Sequence, residues 1–206
     1  MDMIARFKQW QHARKERWIE RLTEQAGDLD ENKQHDLLLL HERGFVRAKG
    51  SGQSITRVHA EVENLIRKKL RVVVTPGTYF VSRGGHQNMA TTDEYTFTLY
   101  PCSTERVGIS AACINADRPI PGVKDKFQGV ARVSDSAARF LAASRGEDPM
   151  VIQAGVWTLT DAYAREAVIH HLIARDRDGN TTHPISHSHC DKAKAILDRL
   201  GVAHSL

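Results

Sequence analysis

Between residues 55 and 113 the apolar residues recur at every second position, in five short runs separated by turn signals. That period belongs to half-buried strands and excludes a helical core over this third of the chain. In "ITRVHAEVEN" Val58, Ala60 and Val62 alternate with Arg57, His59, Glu61 and Glu63. "LRVVVT" is a second strand, Pro76-Gly77 a turn, "TYFVS" a third strand and "RGGHQN" a loop. "EYTFTLY" puts Tyr95, Phe97 and Leu99 on one face, and "ERVGISAAC" does the same with Val107, Ile109, Ala111 and Cys113. Short strands punctuated in this way pack as an antiparallel sandwich or barrel. The expected fold is α+β, with a β-sandwich-like domain over residues 52–135.

Helical periodicity flanks the strands. Ile4, Phe7, Ala13, Trp18 and Leu22 recur at helical spacing over residues 3–26, and Gly27-Asp28 ends that segment. A second helix is expected across "ENKQHDLLLLHERG", stopped by Gly44. "KGSGQS" (49–54) reads as a flexible boundary, which divides the chain into a helical N-terminal segment (1–50) and a main domain (51–206). Near the C-terminus Asp148-Pro149 provides an N-cap and first-turn pair for "PMVIQAGVWTLT". Asp161 is placed to cap "AYAREAVIHHLIA", which is expected to end near Asp178-Gly179. Ser188 and Asp191 form an expected capping box before "KAKAILDRL", and Gly201 ends that helix. These C-terminal helices should pack on the sandwich.

Composition narrows the function classes. No apolar run approaches the ~18 residues of a membrane span, and "MDMIARFKQWQHARKERW" lacks the apolar core of a secretory signal. A cytoplasmic location without a membrane partner is therefore expected. Three scattered cysteines, Cys102, Cys113 and Cys190, do not make a disulfide framework. The net charge of +4 gathers partly in residues 41–71, where eight Lys and Arg face Glu42, Glu61 and Glu63. With no nucleic-acid motif alongside, that stretch reads as a solvated surface rather than a nucleic-acid site. No phosphate loop, nucleophile elbow or CxxC is present.

Two residues stand in company that needs explaining. Cys113 closes a strand on its inward face, just before "NADRPIPG" breaks the ladder. Gln153 sits in a helix among Val151, Ile152, Val156 and Trp157, where a carboxamide must find hydrogen bonds or react. One outcome is a free core thiol and a glutamine that caps a neighbouring backbone group. The other is an internal thioester: the Cys113 sulfur attacks the Gln153 amide carbon and ammonia leaves. Enforced proximity, worth ~7–11 kcal/mol in favourable cases, would carry such a reaction.

The two stretches resemble those of bacterial thioester domains, modules best known from Gram-positive surface adhesins. "Cys113-Ile114-Asn115" is similar to their Cys-apolar-polar motif. "Ile152-Gln153-Ala154-Gly155-Val156-Trp157", followed by Asp161, is similar to their apolar-Gln-x-x-apolar-Trp motif with its nearby acid. "PGTYFVSRGGHQNMATT" (76–92) resembles a stretch that precedes these motifs in a related set of bacterial proteins. The resemblance covers residues 55–175, although Ala112 stands where those domains usually carry an aromatic residue. It implies a Cys113–Gln153 thioester that captures a nucleophile-bearing protein or small amine, by single-turnover acyl transfer at most and without a cofactor. In complement-type thioester proteins a histidine relays the acyl group, which makes His86 the candidate relay here. Asp161 would orient the amide, and Trp157 would shield the bond.

Two alternatives stand beside this. The same fold can act as a non-covalent binding module with no bond formed, self-associating or meeting a partner through its N-terminal helices. "HPISHSHC" also offers His183, His187, His189 and Cys190 as zinc ligands. Satisfied polar residues at a helix entry are the expectation there.

Overall fold

The computed structural model describes residues 3–175 and 178–206. The apolar repeat of the N-terminus forms α1 (Met3–Gln25), of which only Ile19 is buried. The expected second helix is shorter than its sequence suggests. Gln34–Asp36 extends as β1, and Asp36 then caps α2 (Leu37–Glu42) by accepting from the Leu38 and Leu39 N–H groups. A carboxylate at an N-cap favours helix from that point onward, so the polar "ENKQH" is left out of it.

All five expected strands are present: β3 (Arg57–Asn64), β4 (Leu70–Val74), β5 (Thr78–Ser82), β7 (Tyr95–Leu99) and β8 (Thr104–Ile114). Among the strands that were not expected, three matter most: β2 (Val46–Ser54), β6 (Asn88–Thr91) and β9 (Lys126–Arg132). These additions change the architecture. Instead of a sandwich, β2-β3-β8-β6-β5-β9 close into a six-stranded antiparallel barrel. β4 and β7 leave the ring and pair with each other, with β1 parallel to β4 on the far side. Val58, Ala60, Val62, Phe80, Ile109 and Phe127 are buried, while Arg57, His59, Ser110, Lys126 and Gln128 between them are exposed.

The segment read as a flexible boundary is a correction. Residues 49–54 lie within β2, where Lys49 pairs with Glu61 of β3 on one side and with Gln128 of β9 on the other. A division at residue 50 would cut a barrel strand in half.

The C-terminal third is helical, as expected, with α3 (Asp135–Ala143), α4 (Pro149–Thr160), α5 (Arg165–His171) and α6 (His187–Leu200). α4 packs on β8, α3 and α6. Its N-cap is Asp148 with Pro149 in the first turn, and Val151 through Thr158 are all buried. Two expected caps differ. Asp161 is the C-cap of α4, and α5 starts after Ala164 with no side-chain cap. The capping box of α6 is Ser186 with His189, not Ser188 with Asp191. Gly201 ends α6 in the left-handed conformation, as expected. α5 stops at His171, and the two residues before the expected helix end at Asp178 lie outside the described ones.

Three cations of the basic stretch are paired in place. Arg43 pairs with Asp28, Arg47 with Glu63, and Arg67 with Glu16 and Glu20. Lys68 and Arg71 donate to backbone carbonyls of Gly27, Leu29 and Asn32. Among the described residues no helix is long and apolar enough to cross a membrane.

Candidate functional site

β8 outruns its neighbour, and the site forms where it does. Its residues 104–110 pair with β3, and its residues 111–114 pair with β6 on the opposite edge. The last backbone hydrogen bond to the β3 side is the Ala111 N–H donating to the Thr56 carbonyl at 3.0 Å. Two residues on, the N–H and C=O of Cys113 point to that same edge. There the chain has already turned away, so α4 supplies the missing partner. Gln153 Oε1 accepts from the Cys113 N–H at 2.9 Å, and Gln153 Nε2 donates to the Cys113 carbonyl at 2.7 Å. A side-chain amide thus acts as one more strand residue. Both residues are buried, so this pairing satisfies four polar groups that would otherwise be stranded.

The sequence-predicted pair is therefore brought together from 40 residues apart. The carboxamide lies along the backbone of the residue whose thiol would attack it. The thiol itself turns into the barrel, 3.3 Å from Met89 Sδ across the β6–β8 ladder and 3.8 Å from the Ile55 carbonyl. Burial pushes the Cys113 thiol up to about 12, because a thiolate would have to sit in this apolar interior. A Cys113 that is not acylated is therefore held as a neutral S–H.

Asp161 also ties α4 to the end of β8, at a different point from the one expected. Its Oδ1 accepts from the Ala116 N–H at 2.9 Å and its Oδ2 from Thr160 Oγ1 at 2.6 Å. Both Gln153 polar atoms are taken by Cys113, so Asp161 orients the loop after the cysteine rather than the amide. Between them lies Asn115, in the left-handed region at φ 67°, a conformation its short polar side chain tolerates. Asn115 Oδ1 accepts from Asn88 Nδ2 at 2.7 Å, and Asn88 Oδ1 accepts from the Ser82 N–H at 2.7 Å. The polar residue of the Cys-Ile-Asn motif thus fastens the "GHQN" loop to the strand end.

His86 lies in that loop, half-buried, with Nε2 3.3 Å from Asp125 Oδ1. The structure places it against the 119–126 loop. Beside it the Gln87 N–H and Nε2 donate to the carbonyls of Pro119 and Arg118 at 2.9 and 2.8 Å. Trp157 is fully buried and meets the His171 ring edge-on at 4.9 Å, while Tyr163 meets the same ring at 5.2 Å.

The four zinc-ligand candidates do not converge. His189 Nδ1 takes the Ser186 N–H at 3.0 Å in the capping box, and Cys190 lies on the buried face of α6. His183 meets His170 edge-on at 5.0 Å. Among the described residues no group of three or more His, Cys, Asp or Glu is arranged to hold a metal ion.

Three features of the site escape a reading of residue types. Met89 is the neighbour of the thiol, and its place in the resemblance stretch 76–92 was the signal available. The second is the close approach at Gly155, where a Cβ would stand 2.0 Å from Phe140 Cζ of α3. Nothing in the sequence pairs those two residues. The third is a groove of about 260 Å³ on the outer side of the same corner, lined by Ala111, Ala112 and Ile152, the sequence neighbours of the pair, and by Arg57, Asp93 and Glu147. Comparison with protein-family models, curated proteins and solved structures finds no match to this chain.

Proposed function

We propose that the chain is a thioester-domain-like module whose Cys113–Gln153 bond captures a nucleophile covalently. The supporting observation is the buried contact that sets the Gln153 carboxamide on Cys113 itself. In forming the bond, Sγ attacks Cδ, the C–N bond of the amide breaks, and ammonia departs with the thiol proton. An amine on a protein or small molecule then attacks the acyl carbon, an amide forms and the Cys113 thiol is released. Each molecule turns over once. The groove lined by Arg57, Asp93 and Glu147 beside Ala112 and Ile152 offers a neutral amine an approach to the pair. Three cysteines without disulfide partners suit the reducing cytoplasm, where we place the protein.

A second reading rests on its own observation. Both polar atoms of Gln153 are satisfied by the Cys113 backbone, and the sulfur faces Met89. In that reading the glutamine is a clamp between helix and barrel, and the fold is a non-covalent binding module. Intact mass of freshly purified protein separates the two. The thioester gives a chain lighter by one ammonia, methylamine restores mass at Gln153, and Cys113→Ala abolishes both effects. Full calculated mass together with a titratable Cys113 thiol overturns the thioester.

A further inference from the structure

α1 divides at Glu16. From there on it is docked: Glu16 pairs with Arg67, Ile19 is buried, and Thr23 Oγ1 accepts from the Arg67 N–H at 3.0 Å. Before that point every residue from Met3 to Lys15 is exposed. An isolated helix of this length is marginal in water, so a surface that covers it would stabilise it. The exposed part carries an apolar stripe: Met3, Ile4, Phe7 and Trp10 are 83%, 62%, 56% and 51% exposed. At ~100° per residue these four fall within about 120° of arc. The Phe7 and Trp10 rings stack at 6.1 Å, and the Arg14 guanidinium lies over Trp10 at 5.4 Å. Arg6 and Lys8 flank the stripe, and residues 3–15 hold four Lys and Arg and no carboxylate.

We propose that residues 3–15 are an interfacial anchor that lays the protein on an anionic lipid surface. An apolar stripe bearing Trp and Phe, rimmed by cations on long stems, matches the headgroup boundary of a bilayer. Charge selects this occupant. A second copy would bring two carboxylate-free cationic segments together, and a nucleic acid would engage the cations while leaving the stripe wet. The expectation of no membrane partner weighed only spans, and a helix lying in the interface needs none. This surface is independent of the Cys113–Gln153 chemistry.

Co-sedimentation of the full chain with phosphatidylcholine vesicles, with and without phosphatidylserine, tests the anchor. Binding is expected only with phosphatidylserine and should weaken as salt rises. Phe7→Ala with Trp10→Ala should lower the partition coefficient by about tenfold or more. Removing the charges of Arg6 and Lys8 should lower it by about fivefold each. All these positions are exposed, so melting temperatures should stay at the parent value, and that check separates lost binding from lost folding. Failure to sediment with either vesicle overturns the proposal. A lipid-free, concentration-dependent dimer that Phe7→Ala with Trp10→Ala abolishes also overturns it, by giving the stripe to a second copy. So does unchanged vesicle binding in that variant, which would reduce the effect to bulk charge.

Discussion

α1 and α4 are both helices with aromatic and apolar residues, yet they are held in place by opposite means. In α4 eight consecutive residues are buried, and the helix is apolar on every side. Its position is fixed by what it touches: Gln153 completes the β8 edge, Gly155 admits Phe140, and Asp161 fastens the loop after the cysteine. In α1 the first thirteen described residues are exposed, and only its second half is docked. Burial makes each residue of α4 specific, whereas exposure leaves α1 determined by pattern and charge. Substitutions should therefore be felt globally in one helix and locally in the other.

The largest expected loss comes from Gln153→Ala. It strands the Cys113 N–H and C=O in the interior, at about 1–3 kcal/mol for each group left unpaired. Because the carboxamide bonds the backbone of residue 113, Cys113→Ala leaves the clamp intact. With no covalent link the two losses add, and the double variant melts at the temperature their sum gives. With the thioester present each change breaks the same link, so the double variant falls little below the worse single one. Thermal unfolding of the three variants measures this coupling.

Gly155→Ala comes next. A methyl 2.0 Å from Phe140 Cζ forces α3 and α4 apart, and overpacking of this kind costs about 1–3 kcal/mol despite alanine's better helix propensity. Chemical denaturation of Gly155→Ala with Phe140→Leu should recover part of the loss. By contrast, the reverse change Ala13→Gly in exposed α1 should reduce helicity by circular dichroism and leave the denaturation midpoint nearly unmoved.

A further effect concerns pH and grows gradually, one pH unit at a time. The folded thiol titrates at about 12 and an unperturbed one at 9.0, so the folded state keeps a proton that the unfolded state loses. The associated stability is fully present below pH 9 and is lost as pH rises towards 12. In that window the protein should lose about 1.4 kcal/mol per pH unit relative to Cys113→Ala. A sealed thioester has no proton to lose, so the two proteins would then decline in parallel. Denaturation series above pH 9 distinguish these outcomes.

The five strands with strict alternation were legible because outward charge and inward aliphatic residues repeat at the pleat's own period. The three remaining barrel strands were masked by glycine. In "KGSGQS" Gly50 and Gly52 suggest flexibility, but a Cβ at either would stand 2.7 Å from a backbone oxygen, of His59 and Gly122 respectively. Close approach requires them, and a sequence cannot show what approaches. β9 is interrupted by Gly129 at φ 83°, and β6 is four residues long and hidden behind "RGGH". Without those three strands a sandwich is the natural reading of an incomplete set. At the site, the burial of Cys113 and Gln153 was legible from their neighbours. The roles of Asp161 and His86 were not, because both depend on where the 115–126 loop folds. Asp161 bonds Ala116 and His86 meets Asp125, and neither partner carries a motif.

The barrel's closure also sets an order of events for the growing chain. β2 pairs with β3 across a short hairpin, but its other neighbour is β9, joined through the Lys49–Gln128 register. Nearly the whole of the sheet is synthesised between those two partners. The ring therefore stays open until β9 has emerged, and α4 cannot seat Gln153 on Cys113 before the chain beyond it is made. Folding dominated by such a distant pairing is slow compared with local hairpins and helices. During synthesis the outer edge of β2 is an unpaired strand awaiting a partner made much later.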